Sequence, residues 1–165
     1  MNWIGRTMQK FLIPTIALFF MAMALAAAAD PKPASPGKKD KCPVCGMFVY
    51  KYPDWVGQIS FADGKTFFFD GAKDLFKYYF NVAKYNPGKT AADIAVMRVT
   101  EYYDMQIINA RAAFYVIGSD VFGPMGKEPI PFKTQAAAEE FKNDHGGTKI
   151  LTFDQISRAV IDQLD

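Results

Sequence analysis

The chain has 165 residues, half of them hydrophobic and 15% aromatic, with 19 basic and 17 acidic side chains. Arg6 and Lys10 are the only charged residues before Asp30, so beyond that point opposite charges balance. That balance gives no electrostatic reason to expect nucleic acid or an anionic membrane surface as a partner.

The first 29 residues differ in kind from the rest. Arg6 and Lys10 lead into an apolar run from Phe11 to Ala29, interrupted by Pro14 and Thr15, that closes on Ala26-Ala27-Ala28-Ala29. A basic start, an apolar middle and a small-residue cleavage site predict a secretory signal peptide over 1–29, cut before Asp30. If retained, the same run is about long enough to anchor the chain in a bilayer. Either way the body of the protein is expected outside the cytoplasm. The remainder is the size of one domain and long enough to bury a core without a disulfide or metal.

Residues 30–41 hold three prolines, a glycine and four lysines. Such a segment buries too little apolar surface to order itself and is expected to be a flexible leader. The folded domain is expected to span 42–165.

Trp55 to Phe61 alternates, Asp63-Gly64 signals a turn, and Thr66 to Phe69 is a short apolar run, which together predict a hairpin. Asp70 is placed to cap a helix from Gly71 to about Val82, with Ala72, Leu75, Phe76 and Tyr79 on its apolar face. Asn86-Pro87-Gly88 ends this unit.

A second unit follows a similar plan. Strands are expected over Ile94 to Tyr103, Ala112 to Ile117 and Ile130 to Phe132, with a loop at Gly123-Pro124-Met125-Gly126. Thr134 then caps a helix to about Asp144, stopped by Gly146-Gly147. Thr148 to Phe153 reads as a strand, and Asp154 as the cap of a last helix carrying Ile156, Ala159, Val160 and Leu164. Gly64-Lys65, Phe69 and a helix echo Gly126-Lys127, Phe132 and a helix. The predicted class is α+β, with two related strand-strand-helix halves and short mixed or antiparallel sheets.

Beyond residue 29, chemistry that needs sulfur or imidazole must come from Cys42, Cys45, Met47, Met97, Met105, Met125 and His145. Cys42 and Cys45 form a Cys-x-x-Cys pair. A disulfide there would suit an oxidising compartment but closes too short a loop to stabilise much. Thioredoxin-like chemistry needs the first cysteine at a helix N-terminus, whereas Gly-Met-Phe-Val-Tyr after Cys45 favours a turn and a strand. Covalent haem needs histidine directly after Cys45, and Gly46 is there.

Metal is the fourth reading. Two cysteines and one histidine hold zinc only with a carboxylate or water added. On an extended strand Cys45 and Met47 would project from one face, and thiolate with thioether selects Cu(I). Met47 as core packing accounts for the same spacing. Met125, in a glycine-rich loop, has less reason to be core, whereas Met97 and Met105 have apolar flanks and are expected in the core. His145, just past a helix end, suits the helix dipole and is also the only imidazole open to a metal.

Cys42-Pro43-Val44-Cys45-Gly46-Met47, Tyr52-Pro53-Asp54-Trp55, Phe69-Asp70-Gly71 and Asp74-Leu75-Phe76 together resemble the NosL family. So do Ala113 to Asp120, Gly123-Pro124-Met125-Gly126, Pro131-Phe132, Ala138 to Phe141 and His145-Gly146-Gly147. The resemblance implies two related ββα halves, similar to organomercurial lyase, and an extracytoplasmic Cu(I)-binding protein without enzymatic turnover. By position it implies Cys45 and Met47 as copper ligands, with Met125 and His145 as further candidates and Cys42 as a second thiolate or relay.

The implied role is a periplasmic metallochaperone that takes copper from donor proteins and delivers it to a copper enzyme, nitrous oxide reductase. Many family members are lipoproteins anchored at a cysteine; Ala29-Asp30 stands at the expected cleavage site here, so membrane attachment is expected only with a retained signal. A thiol–disulfide oxidoreductase or redox sensor built on Cys42 and Cys45 is the alternative, and a disulfide-stapled interaction domain a third.

Overall fold

The computed structural model describes residues 32–165; the expected signal peptide lies outside them. Two antiparallel sheets carry the fold. Strands β1 (Gly57–Phe61), β2 (Thr66–Phe69), β3 (Ile94–Thr100) and β4 (Ile107–Asn109) form a sheet in the order β2-β1-β3-β4. β1 and β2 are the expected hairpin, paired Gly57 with Phe69 and Ser60 with Thr66. Asp63-Gly64 turns the chain, and Gly64 takes a left-handed φ of 87° that only glycine adopts without strain.

Strands β5 (Phe114–Ile117), β8 (Ile130–Phe132) and β9 (Lys149–Thr152) form a second sheet in the order β8-β5-β9. Two-residue strands β6 (Phe122–Gly123) and β7 (Gly126–Lys127) make a hairpin with Pro124 and Met125 at its tip, where a plain loop was expected. Helix α1 (Ala72–Tyr79) follows the first strand pair, and α3 (Gln135–Asp144) follows β5 and β8. The α+β class and the two strand-strand-helix halves are therefore present, with every strand pair antiparallel.

Several local expectations change. The helix expected to run to Val82 stops at Tyr79, and a separate turn, α2 (Val82–Tyr85), follows. Gly71, not Asp70, is the N-cap of α1, and no side chain caps it. The strand expected to reach Tyr103 ends at Thr100. Met105 sits in the following turn at φ 54° and is 49% exposed, so it is not core. Its flanking apolar residues are split between β3 and β4, and the turn between them turns Met105 outward. Asp154 lies in a 3-10 turn, Phe153–Gln155. Ser157 caps the last helix, α4 (Arg158–Asp162), by accepting from the Val160 amide at 3.3 Å. Thr134 caps α3 as expected, accepting from the Ala137 amide at 3.2 Å.

Alternation along β5 divides the interior. Tyr115 and Ile117 enter the main core with Ile59, Phe69, Leu75, Phe76, Tyr78, Met97 and Val99. Val116, on the opposite face, joins Ile130, Phe132, Ala138 and Phe141. Successive strand side chains point to opposite faces, so one central strand can serve two cores. The main core holds α1 against β1 and β2, which fixes the start of that helix in space.

Candidate metal centre

Residues 41–48 double back on themselves. The amide of Cys42 donates to the carbonyl of Met47 at 2.9 Å, the Gly46 amide to the Cys42 carbonyl at 2.9 Å, and Lys41 bridges to Phe48. Gly46 closes the turn at φ 82° with open space beside it. The expected strand after Cys45 is therefore replaced by a left-handed glycine and a 3-10 turn, Val49–Lys51. The same-face argument for Cys45 and Met47 does not apply; they are neighbours through a tight turn.

This turn aims backbone amides at sulfur. The amides of Cys45 and Val44 face the Cys42 sulfur, and that of Met47 faces the Cys45 sulfur. Such a concave run of amides favours anions. Both cysteines are free, with Cys42 1% exposed and Cys45 half-buried.

The turn packs onto the start of α1. Cys42 Sγ lies 3.3 Å from Asp74 Oδ2, and Cys45 Sγ lies 3.3 and 3.4 Å from the two Asp70 oxygens. Asp70 directly follows β2, and Asp74 stands in the first turn of α1, four residues further along the chain. One donor atom from each of Cys42, Cys45, Asp70 and Asp74 falls within 4.8 Å of the other three. Asp70 and Asp74 were not anticipated as site residues, because an aspartate before a helix reads as a cap. Their four-residue spacing, which would put two carboxylates on one face of a helix that included both, was the available signal.

Burial, and then the carboxylates, hold both thiols protonated. Burial pushes the Cys42 thiol far up, and Asp70 and Asp74 add to it. The Cys45 thiol is pushed up to about 12, by burial first, with Asp74 and Asp70 contributing. The facing amides oppose this but do not win. Neither cysteine opens a helix, so the dipole that activates thioredoxin-like thiols is missing here.

The other expected donors are placed differently. Met47 is half-buried, and its Sδ lies 3.8 Å from the Tyr52 hydroxyl. Met125 is 40% exposed at the β6–β7 tip. Its carbonyl accepts from Lys73 Nζ at 2.7 Å, which ties that hairpin to α1 one residue from Asp74. His145 lies at the end of α3, stacked on Phe141 with ring centroids 4.4 Å apart, and its Nδ1 is 3.0 Å from Asp120. It borders the second core and is outside the group of four.

Of the expected leader, residues 33–36 line a groove with Tyr50, Pro53, Val56, Met105 and Ile107, and the Ala34 amide lies 3.3 Å from Gln58 Oε1.

The donor set suits a soft ion: two sulfurs converge in a turn whose amides face them, with a thioether two residues on. Residues 33–161 match the model of the NosL family. A copper-binding lipoprotein NosL of Stutzerimonas stutzeri is 28% identical over 125 residues, 75% of this chain; the chain spans about 65% of that relative's length. The crystal structure of the copper chaperone NosL from Shewanella denitrificans is similar with a TM-score of 0.66 and 27% identity, over 79% of this chain and 99% of that one.

Proposed function

Because the chain belongs to the NosL family, we propose that it is an extracytoplasmic Cu(I) carrier, with copper as cargo and no substrate turned over. The observation that carries this reading is the Cys42–Met47 turn, which gathers two free thiols and a thioether beside the start of α1. Cys45 and Met47 hold the ion, and Cys42 supplies a second thiolate. Few soft donors and a half-buried Cys45 leave the ion open to ligand exchange, which a carrier needs in order to release it.

Loading displaces the thiol protons, since the thiolate is the ligand. The amides facing both sulfurs then stabilise the anions that burial alone disfavours. Met125, exposed on its hairpin, is placed to meet an incoming partner, and His145, held against Asp120 and Phe141, stays outside the copper site. The client is a copper enzyme, nitrous oxide reductase, reached in the periplasm after export, with copper donor proteins upstream.

A Cu(I) competition titration of the reduced protein against a chromophoric chelator tests the reading. Cys45→Ser and Met47→Leu are each expected to lower affinity by about tenfold or more. Unchanged affinity in both variants would overturn it. Nitrous oxide reductase that remains fully copper-loaded in cells lacking this protein would remove that client.

A further inference from the structure

A groove of about 400 Å³ that contains neither cysteine is lined by Asp54, Trp55, Tyr102, Tyr103, Met105 and Val121. Three of its walls are aromatic rings. Tyr102 and Tyr103 stand edge to face, with centroids 5.4 Å apart and planes at 67°, so together they make a corner. Trp55 is the third ring, and it is seated against β6. Gly123 leaves room for it there, since a Cβ at that position would stand 3.1 Å from the Trp55 ring.

The second core holds this corner from behind. Trp55, Tyr102 and Val121 pack against that core. The Tyr102 ring lies 4.8 Å from Phe141 and the Tyr103 ring 5.6 Å from Phe132, centroid to centroid, and both phenylalanines are fully buried. The outer side is open. Tyr103 is 43% exposed, and Met105 reaches the rim on a left-handed backbone that a residue with a Cβ adopts under strain.

The charge around the groove has one sign. Asp54 is exposed, and among the described residues its carboxylate has no ion pair. Burial first, and then the carboxylates of Glu140, Asp144 and Glu101, hold the Tyr103 phenol above its ordinary value. Aromatic faces are themselves electron-rich and attract cations.

We propose that this groove receives an arginine side chain of a partner protein, its guanidinium stacked on the aromatic corner and paired with Asp54. Arginine fits better than lysine, because its planar fork stacks on a ring and also meets a carboxylate with two parallel N–H groups. A partner protein is the source because the groove is open and borders the β6–β7 hairpin. Trp55 packs on Gly123, two residues before Met125, so a partner held there is brought to the hairpin tip. That choice of source rests on the carrier reading; the cation chemistry of the groove does not.

The test uses the metal-free protein and a capped Gly-Arg-Gly peptide, with binding followed by NMR. Saturable shifts are expected, centred on the Trp55 indole and the amides of Tyr102 and Tyr103. The same peptide with citrulline, a neutral isostere, is expected to bind about fivefold more weakly or worse. Asp54→Asn and Tyr103→Leu, both at exposed positions, are each expected to weaken peptide binding by about threefold or more and to leave Cu(I) affinity within about threefold.

The absence of saturable binding, equal binding of the citrulline peptide, or unchanged affinity in both variants overturns the proposal. So does free L-arginine that binds more than about tenfold tighter than the capped peptide, which would make the ligand a small molecule. Wild-type protein that binds the arginine peptide as expected but takes no Cu(I) would overturn the carrier reading and leave the arginine site standing.

Discussion

Cys45 Sγ lies 3.3 Å from Oδ1 of Asp70, across 25 residues of sequence, and the pair joins the cysteine turn to the end of β2. A thiol held against a carboxylate keeps its proton, and that bears directly on how the protein reacts.

The metal-free thiols should be slow nucleophiles. With Cys45 pushed up to about 12 and Cys42 higher still, the thiolate fraction near neutral pH is far below that of a free cysteine. Alkylation at pH 8 is expected to be at least tenfold slower than in the denatured chain. Cys45 should react before the more buried Cys42. Mass spectrometry of timed samples reads both rates, and alkylation as fast as in the denatured chain would contradict the buried pairing. Slow thiols also argue against a disulfide oxidoreductase.

Glu128 gives a pH dependence of stability. It is 2% exposed, accepts from the Lys73 amide at 2.7 Å, and its carboxyl is pushed up to about 8, chiefly by burial. The folded value lies above the unfolded value of 4.5, so the contribution is complete below about 4.5 and is lost as pH rises through about 8. Glu128→Gln keeps an acceptor for Lys73 and removes the titration. Urea midpoints at pH 5 and pH 9 should show the wild type losing stability relative to Glu128→Gln, by an amount on the order of 1–3 kcal/mol. Parallel midpoints would rule out a buried, titrating Glu128.

Phe141 and His145 separate structure from ligation. Phe141 is fully buried in the second core, and His145 stacks on it. Phe141→Ala is expected to cost roughly 3–5 kcal/mol in chemical denaturation. His145→Ala is expected to leave Cu(I) affinity within about threefold, because its Nδ1 faces Asp120 and the ring lies outside the cysteine–aspartate group. A larger loss of copper affinity would place His145 in the first coordination sphere.

Local features were legible in the sequence. Alternation and Asp63-Gly64 marked the first hairpin, and the 3.6-residue spacing of Ala72, Leu75 and Phe76 marked α1. Thr134 marked the start of α3, and Cys42, Cys45 and Met47 were visible as soft donors. Each of these depends on residues within a turn or two of one another, where backbone geometry and burial impose a short period. The misplacements were local as well: Asp70 read as a cap, and Met105 read as core where the chain turns between strands.

What the tertiary structure alone decided is which chemistry meets. Packing of α1 on β1 and β2, and of Cys42 into the same core, brings Asp70 and Asp74 to the thiols. Alternation along β5 sends Val116 to a different core from Tyr115, and His145 goes with the second of these cores through Phe141. Contacts of this kind join segments 25 or more residues apart and leave no periodic trace in the chain, because the burial of whole faces selects them.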